Sequence, residues 1–115
     1  MKLIIALIQP HRLEAVKKEL NANGIDRLTV VDASGYGRQK GQVHYFRGAE
    51  LESNLIDKIE LQIAVNDNFV KPTIEAIKTG ARSGATGQVG DGKIFVLPLE
   101  KVIRISDGKE GREAI

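Results

Sequence analysis

Ile56-Asp57-Lys58-Ile59-Glu60-Leu61-Gln62-Ile63-Ala64-Val65 carries the cleanest alternation in the chain. Ile59, Leu61, Ile63 and Val65 face one way, while Lys58, Glu60 and Gln62 face the other. A period of two residues with one apolar side is the pattern of a strand half covered by a core. Working outward, Asp67 is placed to cap a helix whose face carries Val70, Ile74, Ile77 and Ala81. Pro72 sits awkwardly inside that span, because an interior proline costs about 3 kcal/mol. The regular helix is therefore expected to begin close to Pro72. Beyond it, Lys93 to Leu97 reads as another strand and Val102 to Ile105 as a short final one. Residues 107–115 are polar and read as a mobile tail.

On the other side, Leu3-Ile4-Ile5-Ala6-Leu7-Ile8 is a short apolar run, expected to be a strand buried on both faces. Pro10 suits the first turn of a helix. Leu13, Val16 and Leu20 share one helical face, and Gly24 after Asn23 supplies the stop. Leu28-Thr29-Val30-Val31 is a second strand running toward Gly35-Tyr36-Gly37. The order is β-α-β, a long loop, then β-α-β. The expected class is α+β, a ferredoxin-like βαββαβ sandwich with a long loop between strands 2 and 3 and a short C-terminal strand.

The 115 residues suit one domain. The 17 basic and 15 acidic residues leave a net charge of +2, too little to announce a nucleic-acid binder. The absence of cysteine removes disulfide frameworks, thiol catalysis and the usual zinc sites. The longest apolar run, Leu3 to Ile8, is far short of the roughly 20 residues a membrane span needs. A soluble cytoplasmic protein without direct membrane insertion is the expectation.

A fold of this class serves many functions, so two irregular segments must carry the chemistry. The first, residues 37–55, is long for so small a domain, and such loops are usually functional or disordered. It offers the cations Arg38, Lys40 and Arg47 and the adjacent aromatics Tyr45 and Phe46, types suited to burial against a partner. A flexible hairpin with incidental aromatics is the alternative. The second, residues 80–93, has five glycines in fourteen residues and ends on Lys93. Backbone N–H groups there could converge on a phosphate, with Lys93 as a point charge. A merely flexible helix-to-strand connection is the alternative. Gly87-x4-Gly92-Lys93 matches seven positions of a Walker A loop, but Ile94 stands where the magnesium-binding hydroxyl belongs. A Rossmann spacing fails as well, since Gly90-x-Gly92 is followed by Phe95 at the third glycine.

Gly35-Tyr36-Gly37-Arg38-Gln39-Lys40-Gly41, Tyr45-Phe46-Arg47-Gly48-Ala49-Glu50 and Thr86-Gly87-Gln88-Val89-Gly90-Asp91-Gly92-Lys93-Ile94-Phe95-Val96 together resemble the PII nitrogen-regulatory signal-transduction proteins. The resemblance implies a homotrimer with ATP or ADP in clefts between subunits. It implies that Gly87, Val89, Gly90, Asp91, Gly92, Lys93 and Arg104 hold phosphates and that Arg38 closes over the nucleotide. Thr29, Gly35 and Gly37 would line the base and ribose. It also implies 2-oxoglutarate beside Mg-ATP, with Gln39 on the metal and Lys40, Gly41 and Lys58 around the effector. Gln42, His44, Tyr45, Phe46, Arg47, Glu50 and Leu51 would then form the surface that meets a transporter, enzyme or regulator.

The chain departs from the family pattern at several positions. Leu51 stands where many members carry a nucleotidylated tyrosine, and Ala49 lacks a hydroxyl that some members phosphorylate. Ser106 occupies the place of a second arginine, which should weaken ATP more than ADP. Gln62 replaces an acidic residue, and Ser83-Gly84-Ala85 lengthens the glycine-rich loop. Two rival classes are weaker. A nucleotide hydrolase would need Asp91 or Glu50 as base, and neither has a recognisable partner; His11 and His44 form no evident metal pair. An RNA-binding module would need stacking aromatics on the first strand, and the chain has two Tyr and three Phe in all.

Overall fold

The computed structural model describes residues 1–36 and 55–115, together with the backbone of residues 43–46 and 49–52. Strand β1 is Lys2–Ile8, helix α1 Leu13–Ala22, β2 Thr29–Gly35, β3 Val43–Phe46, β4 Ala49–Glu52, β5 Ile56–Val65, helix α2 Val70–Ala81 and β6 Gly92–Pro98. The main sheet has the order β2-β5-β1-β6, with every neighbouring pair antiparallel. This is the expected α+β ferredoxin-like arrangement. The segment expected as one long loop contains a separate hairpin, β3 paired with β4, with Val43 opposite Glu52.

The alternation in β5 holds as expected. Ile59, Leu61, Ile63 and Val65 are buried together with Ile4, Ala6 and Ile8 of β1, Val16 and Leu20 of α1, and Ala76, Ile77 and Ala81 of α2. Strand β1 differs from expectation, because only that one side of it is buried. Leu3, Ile5 and Leu7 point to the opposite face and are half-buried. The register places Leu97 beside Leu3, Phe95 beside Ile5 and Lys93 beside Leu7. Val31 of β2 shares this face through its pairing with Glu60. Phe95 is 45% exposed, Leu97 41% and Val31 37%. Among the described residues no helix covers this side, so the chain leaves an apolar sheet face open.

The helix boundaries follow local chemistry. Single 3-10 turns, Pro10–Arg12 and Asp67–Phe69, precede α1 and α2. Helix α2 begins at Val70, so Pro72 lies in its first turn, where a missing N–H costs nothing. Asp67 does not cap the helix with its side chain; its carboxylate accepts from the Met1 amino group at 2.8 Å. The buried Thr73 hydroxyl is satisfied by the Phe69 carbonyl at 2.7 Å.

Two expectations at the C-terminal side are corrected. Val102 to Ile105 forms no ladder; a single bridge joins Ile103 to Glu110. Residues 107–115 are not a featureless tail, since Gly111 donates to the Val102 carbonyl at 2.9 Å and a 3-10 turn spans Gly111–Ala114. Asn66, just past β5, donates to the Arg112 carbonyl at 3.3 Å and ties this segment to the end of the sheet.

Ala81 closes α2 on its buried face as expected, and Gly80, expected to open the glycine-rich loop, is also a buried residue of that helix. A Cβ on Gly80 would stand 2.6 Å from the Val16 Cα and 2.8 Å from its nitrogen. The two helices therefore pack backbone to backbone at this point. Replacing a helical glycine by alanine ordinarily gains up to about 1 kcal/mol. Here backbone atoms on α1 would have to move, and overpacking of that kind costs about 1–3 kcal/mol. Gly80→Ala is therefore expected to lower stability despite its better helix propensity, measured as a reduced urea midpoint with unchanged slope. A raised midpoint would contradict the close packing of α1 on α2.

Candidate functional site

The glycine-rich loop runs from Arg82, at the end of α2, to Gly92, the first residue of β6. Its organiser is Asp91. One carboxylate oxygen accepts from the Ser83 N–H at 2.9 Å and the Gln88 N–H at 2.9 Å, and the other accepts from the Ser83 hydroxyl at 2.6 Å. The Ser83 hydroxyl bond first, and then the Ser83 and Gln88 amides, hold this carboxyl down to about 2, from an ordinary 3.8. Asp91 is thus a brace inside the loop, with its oxygens turned to the loop's own donors. Gly84, Ala85, Thr86, Gln88 and Val89 are the exposed part, with Val89 69% exposed, whereas Gly87 and Gly90 are half-buried.

Gly92 fixes where the loop joins the sheet. Its φ is 122°, and a Cβ there would lie 1.8 Å from the Leu7 carbonyl oxygen, so no other residue fits without moving a strand. Lys93 follows immediately, paired with Leu7 and therefore on the open face of the sheet. The Gly90 carbonyl accepts from the Lys58 ammonium at 3.0 Å and from the Gln9 amide at 3.1 Å. These bonds tie the loop to β5 and to the exit of β1. Gly35 lies at the same end of the sheet, opposite Ile56. Lys58 also lines a cavity of about 440 Å³ with Asp32, Ser34 and Asp57.

Other residues expected at the site lie elsewhere. Thr29 pairs with Gln62, farther along the sheet, and the Gln62 amide donates to Glu60 at 2.8 Å. Arg104 lies beyond the opposite end of β6, a strand about 20 Å long at roughly 3.3 Å per residue. Its guanidinium donates to the Asp107 carboxylate at 2.9 Å and to the Glu113 carbonyl. A single copy of the chain therefore does not bring Lys93 and Arg104 to one phosphate.

Gly37, Arg38, Gln39, Lys40, Gly41, Gln42 and Arg47 fall outside the described residues, as do the side chains of His44, Tyr45, Phe46, Glu50 and Leu51. Sequence reasoning missed Gln9, Ser83 and Asp107. The Asp107-Gly108 pair was a readable turn signal. A serine bonded to an aspartate eight residues later follows no periodicity and had no signal. Among the described residues no group of three or more His, Asp or Glu could hold a metal ion, and no helix is long and apolar enough to cross a membrane.

The depressed carboxyl of Asp91 fixes the sign of a pH effect. Its brace is fully present above the ordinary value of 3.8 and is lost as pH falls through about 2. A carboxyl-detected NMR titration should place the Asp91 midpoint near 2. Asp91→Asn should speed amide exchange at Ser83 and Gln88 without unfolding the sheet. An ordinary midpoint, or unchanged exchange in the variant, would contradict the bracing role.

Comparison with known proteins bears on this geometry. A family model described as Nitrogen regulatory protein P-II matches residues 1–109. Nitrogen regulatory protein GlnK1 of Methanosarcina mazei is 58% identical over 115 residues, which cover 100% of this chain and 97% of that protein. The nitrogen regulatory proteins P-II of Azospirillum brasilense and Pasteurella multocida are each 44% identical over 115 residues, the full length of both chains. The matched span includes both helices, all of the main sheet and the glycine-rich loop. With its regulatory rather than enzymatic relatives and its βαββαβ fold, the chain belongs to the nitrogen regulatory protein P-II family.

Proposed function

We propose that this chain assembles as a homotrimer, binds ATP or ADP in clefts shared between subunits, and regulates a partner protein through residues 37–55. The observation that carries the reading is that Lys93 starts β6 while Arg104 lies in the turn beyond its other end. Two cations so separated suit a polyphosphate only when two copies are brought together. The open face with Leu3, Ile5, Phe95 and Leu97 supplies apolar surface for that association.

In such a cleft the loop from Gly87 to Lys93 holds phosphates with a charge-assisted bond from Lys93. Arg104 of a neighbouring subunit approaches from the other side. Gly35 and Thr29, both on the rim strand β2, suit the sugar and base. Arg38 and Gly37 complete the closure, with Gln39 toward any magnesium carried by ATP. Because Asp91 already rigidifies the loop, little ordering remains to oppose binding. A nucleotide or 2-oxoglutarate then shifts the long segment only as far as it binds one of that segment's states better than another. Lys58 is the residue through which 2-oxoglutarate acts in this reading. Its bond to the Gly90 carbonyl means that a carboxylate taking Lys58 also loosens one tether of the phosphate loop. An adenine-nucleotide sensor without a 2-oxoglutarate response is the second reading, favoured by that same occupied bond. The target is a transporter, enzyme or regulator, met in the cytoplasm by contacts from Tyr45, Phe46 and their neighbours. Neither nucleic acid nor membrane insertion is part of the reading.

Isothermal titration calorimetry with ATP and ADP tests it, with the ATP titration repeated in magnesium and saturating 2-oxoglutarate. ADP should bind at least as tightly as ATP. Lys93→Ala should weaken both by about 1–3 kcal/mol, the range for a lost charge-assisted bond. Tightening by 2-oxoglutarate selects the first reading and indifference selects the second. No nucleotide binding, or an unaffected Lys93→Ala variant, would refute the assignment of the loop as the phosphate site.

A further inference from the structure

Arg104 is not an open cation. One terminal nitrogen donates to the Asp107 carboxylate at 2.9 Å, and the other donates to the Glu113 carbonyl. Asp107 is held against it from behind, because its second oxygen accepts from the Lys109 N–H at 3.1 Å. The turn that carries it is closed by Gly108 N–H to the Arg104 carbonyl at 2.8 Å and by Arg104 N–H to the Lys109 carbonyl at 2.8 Å. Turning the Asp107 side chain away from Arg104 would also break its bond to the Lys109 N–H. Its carboxyl is held below the ordinary range, first by the Lys109 amide and then by Arg104, so it is charged at neutral pH.

We propose that Asp107 is a specificity-determining residue of the shared cleft, occupying Arg104 with a fixed carboxylate and so disfavouring the more highly charged nucleotide. The inference rests on the proposed nucleotide site and deepens it. Any phosphate that reaches Arg104 must share the guanidinium with Asp107 or displace it. The repulsion from a fixed negative charge grows with the charge of the ligand, so ATP loses more than ADP. Ser106 supplies no cation to offset this. Arg104 and Asp107 keep 35% and 41% of their side-chain surface exposed, so water screens the effect to a moderate size.

The test is calorimetry of ATP and ADP, without magnesium, on the intact protein and on three variants. Asp107→Asn and Asp107→Ser both leave an oxygen for the Lys109 amide, so a folding defect in one does not decide the outcome. Asp107→Glu keeps the charge. Both neutral variants should bind ATP about 3- to 5-fold more tightly, as removal of one exposed charge partner allows, with a smaller gain for ADP. Asp107→Glu should keep the original ratio. Nucleotide binding with an unchanged ATP-to-ADP ratio in the neutral variants would overturn the inference while leaving the nucleotide site standing. Equal behaviour of Asp107→Glu and Asp107→Asn would overturn it too, by assigning the preference to turn geometry. An intact protein that binds neither nucleotide would remove the site, and the inference with it.

Discussion

The close approach of Gly92 to the Leu7 carbonyl is the constraint on which the rest of the molecule depends. A side chain there would require β6 to part from β1. With glycine in place, β6 lies in register along the whole of β1, from Gly92 beside Ile8 to Pro98 beside Lys2. That register sends the glycine-rich loop out at one end of the sheet and the Arg104 turn at the other. It also sets Phe95 and Leu97 next to Ile5 and Leu3, which builds the open apolar face. The placement of the glycine-rich loop, the Arg104 turn and the open apolar face therefore follows from one contact between a backbone and a missing side chain.

The two ends are stabilised in opposite ways. At the glycine-rich end a carboxylate faces inward, and its three bonds from Ser83 and Gln88 stiffen a segment that its glycines would otherwise leave loose. The Gly90 carbonyl accepts from Lys58 and Gln9, and Lys93 stands exposed on the open face. At the Arg104 end the carboxylate of Asp107 faces the cation itself. One end presents Lys93, and at the other Arg104 is already paired with a carboxylate. In the proposed shared cleft, a ligand that joins them must be charged enough to gain from Lys93, yet not so charged that Asp107 repels it.

Much of this was legible in the sequence, for reasons that differ by element. The alternation from Ile56 to Val65 identified β5 and its buried side, because the strand has one core face and a strict period of two. The run from Leu3 to Ile8 located β1 but suggested burial on both sides. Composition cannot tell a face covered by the same chain from one left for another. Gly80 was grouped with the loop glycines, because a glycine needed for helix packing and one needed for a turn look alike before the helices are placed. Asp67 had the chemistry of a cap, but an amino group 66 residues away competes for its carboxylate. The glycine-rich loop is visible in the sequence as a glycine pattern ending on Lys93. Its brace is not, since the Ser83–Asp91 pair depends on the path of the loop between them. Polarity alone suggests a mobile tail, whereas the order of this segment comes from backbone bonds of Val102 and Arg104 and from Asn66.

The central claim is that one nucleotide site is completed by two copies of the chain, with Lys93 from one and Arg104 from the other. Subunit complementation tests it most directly. Lys93→Ala and Arg104→Ala chains, each impaired in ADP binding alone, would be co-expressed and the mixed assemblies isolated by two different tags. A shared site predicts that mixed assemblies regain binding at the intact affinity in a fraction of their clefts. Mixed assemblies as impaired as their parents would contradict it, and would place both residues in a site made by a single chain or in none.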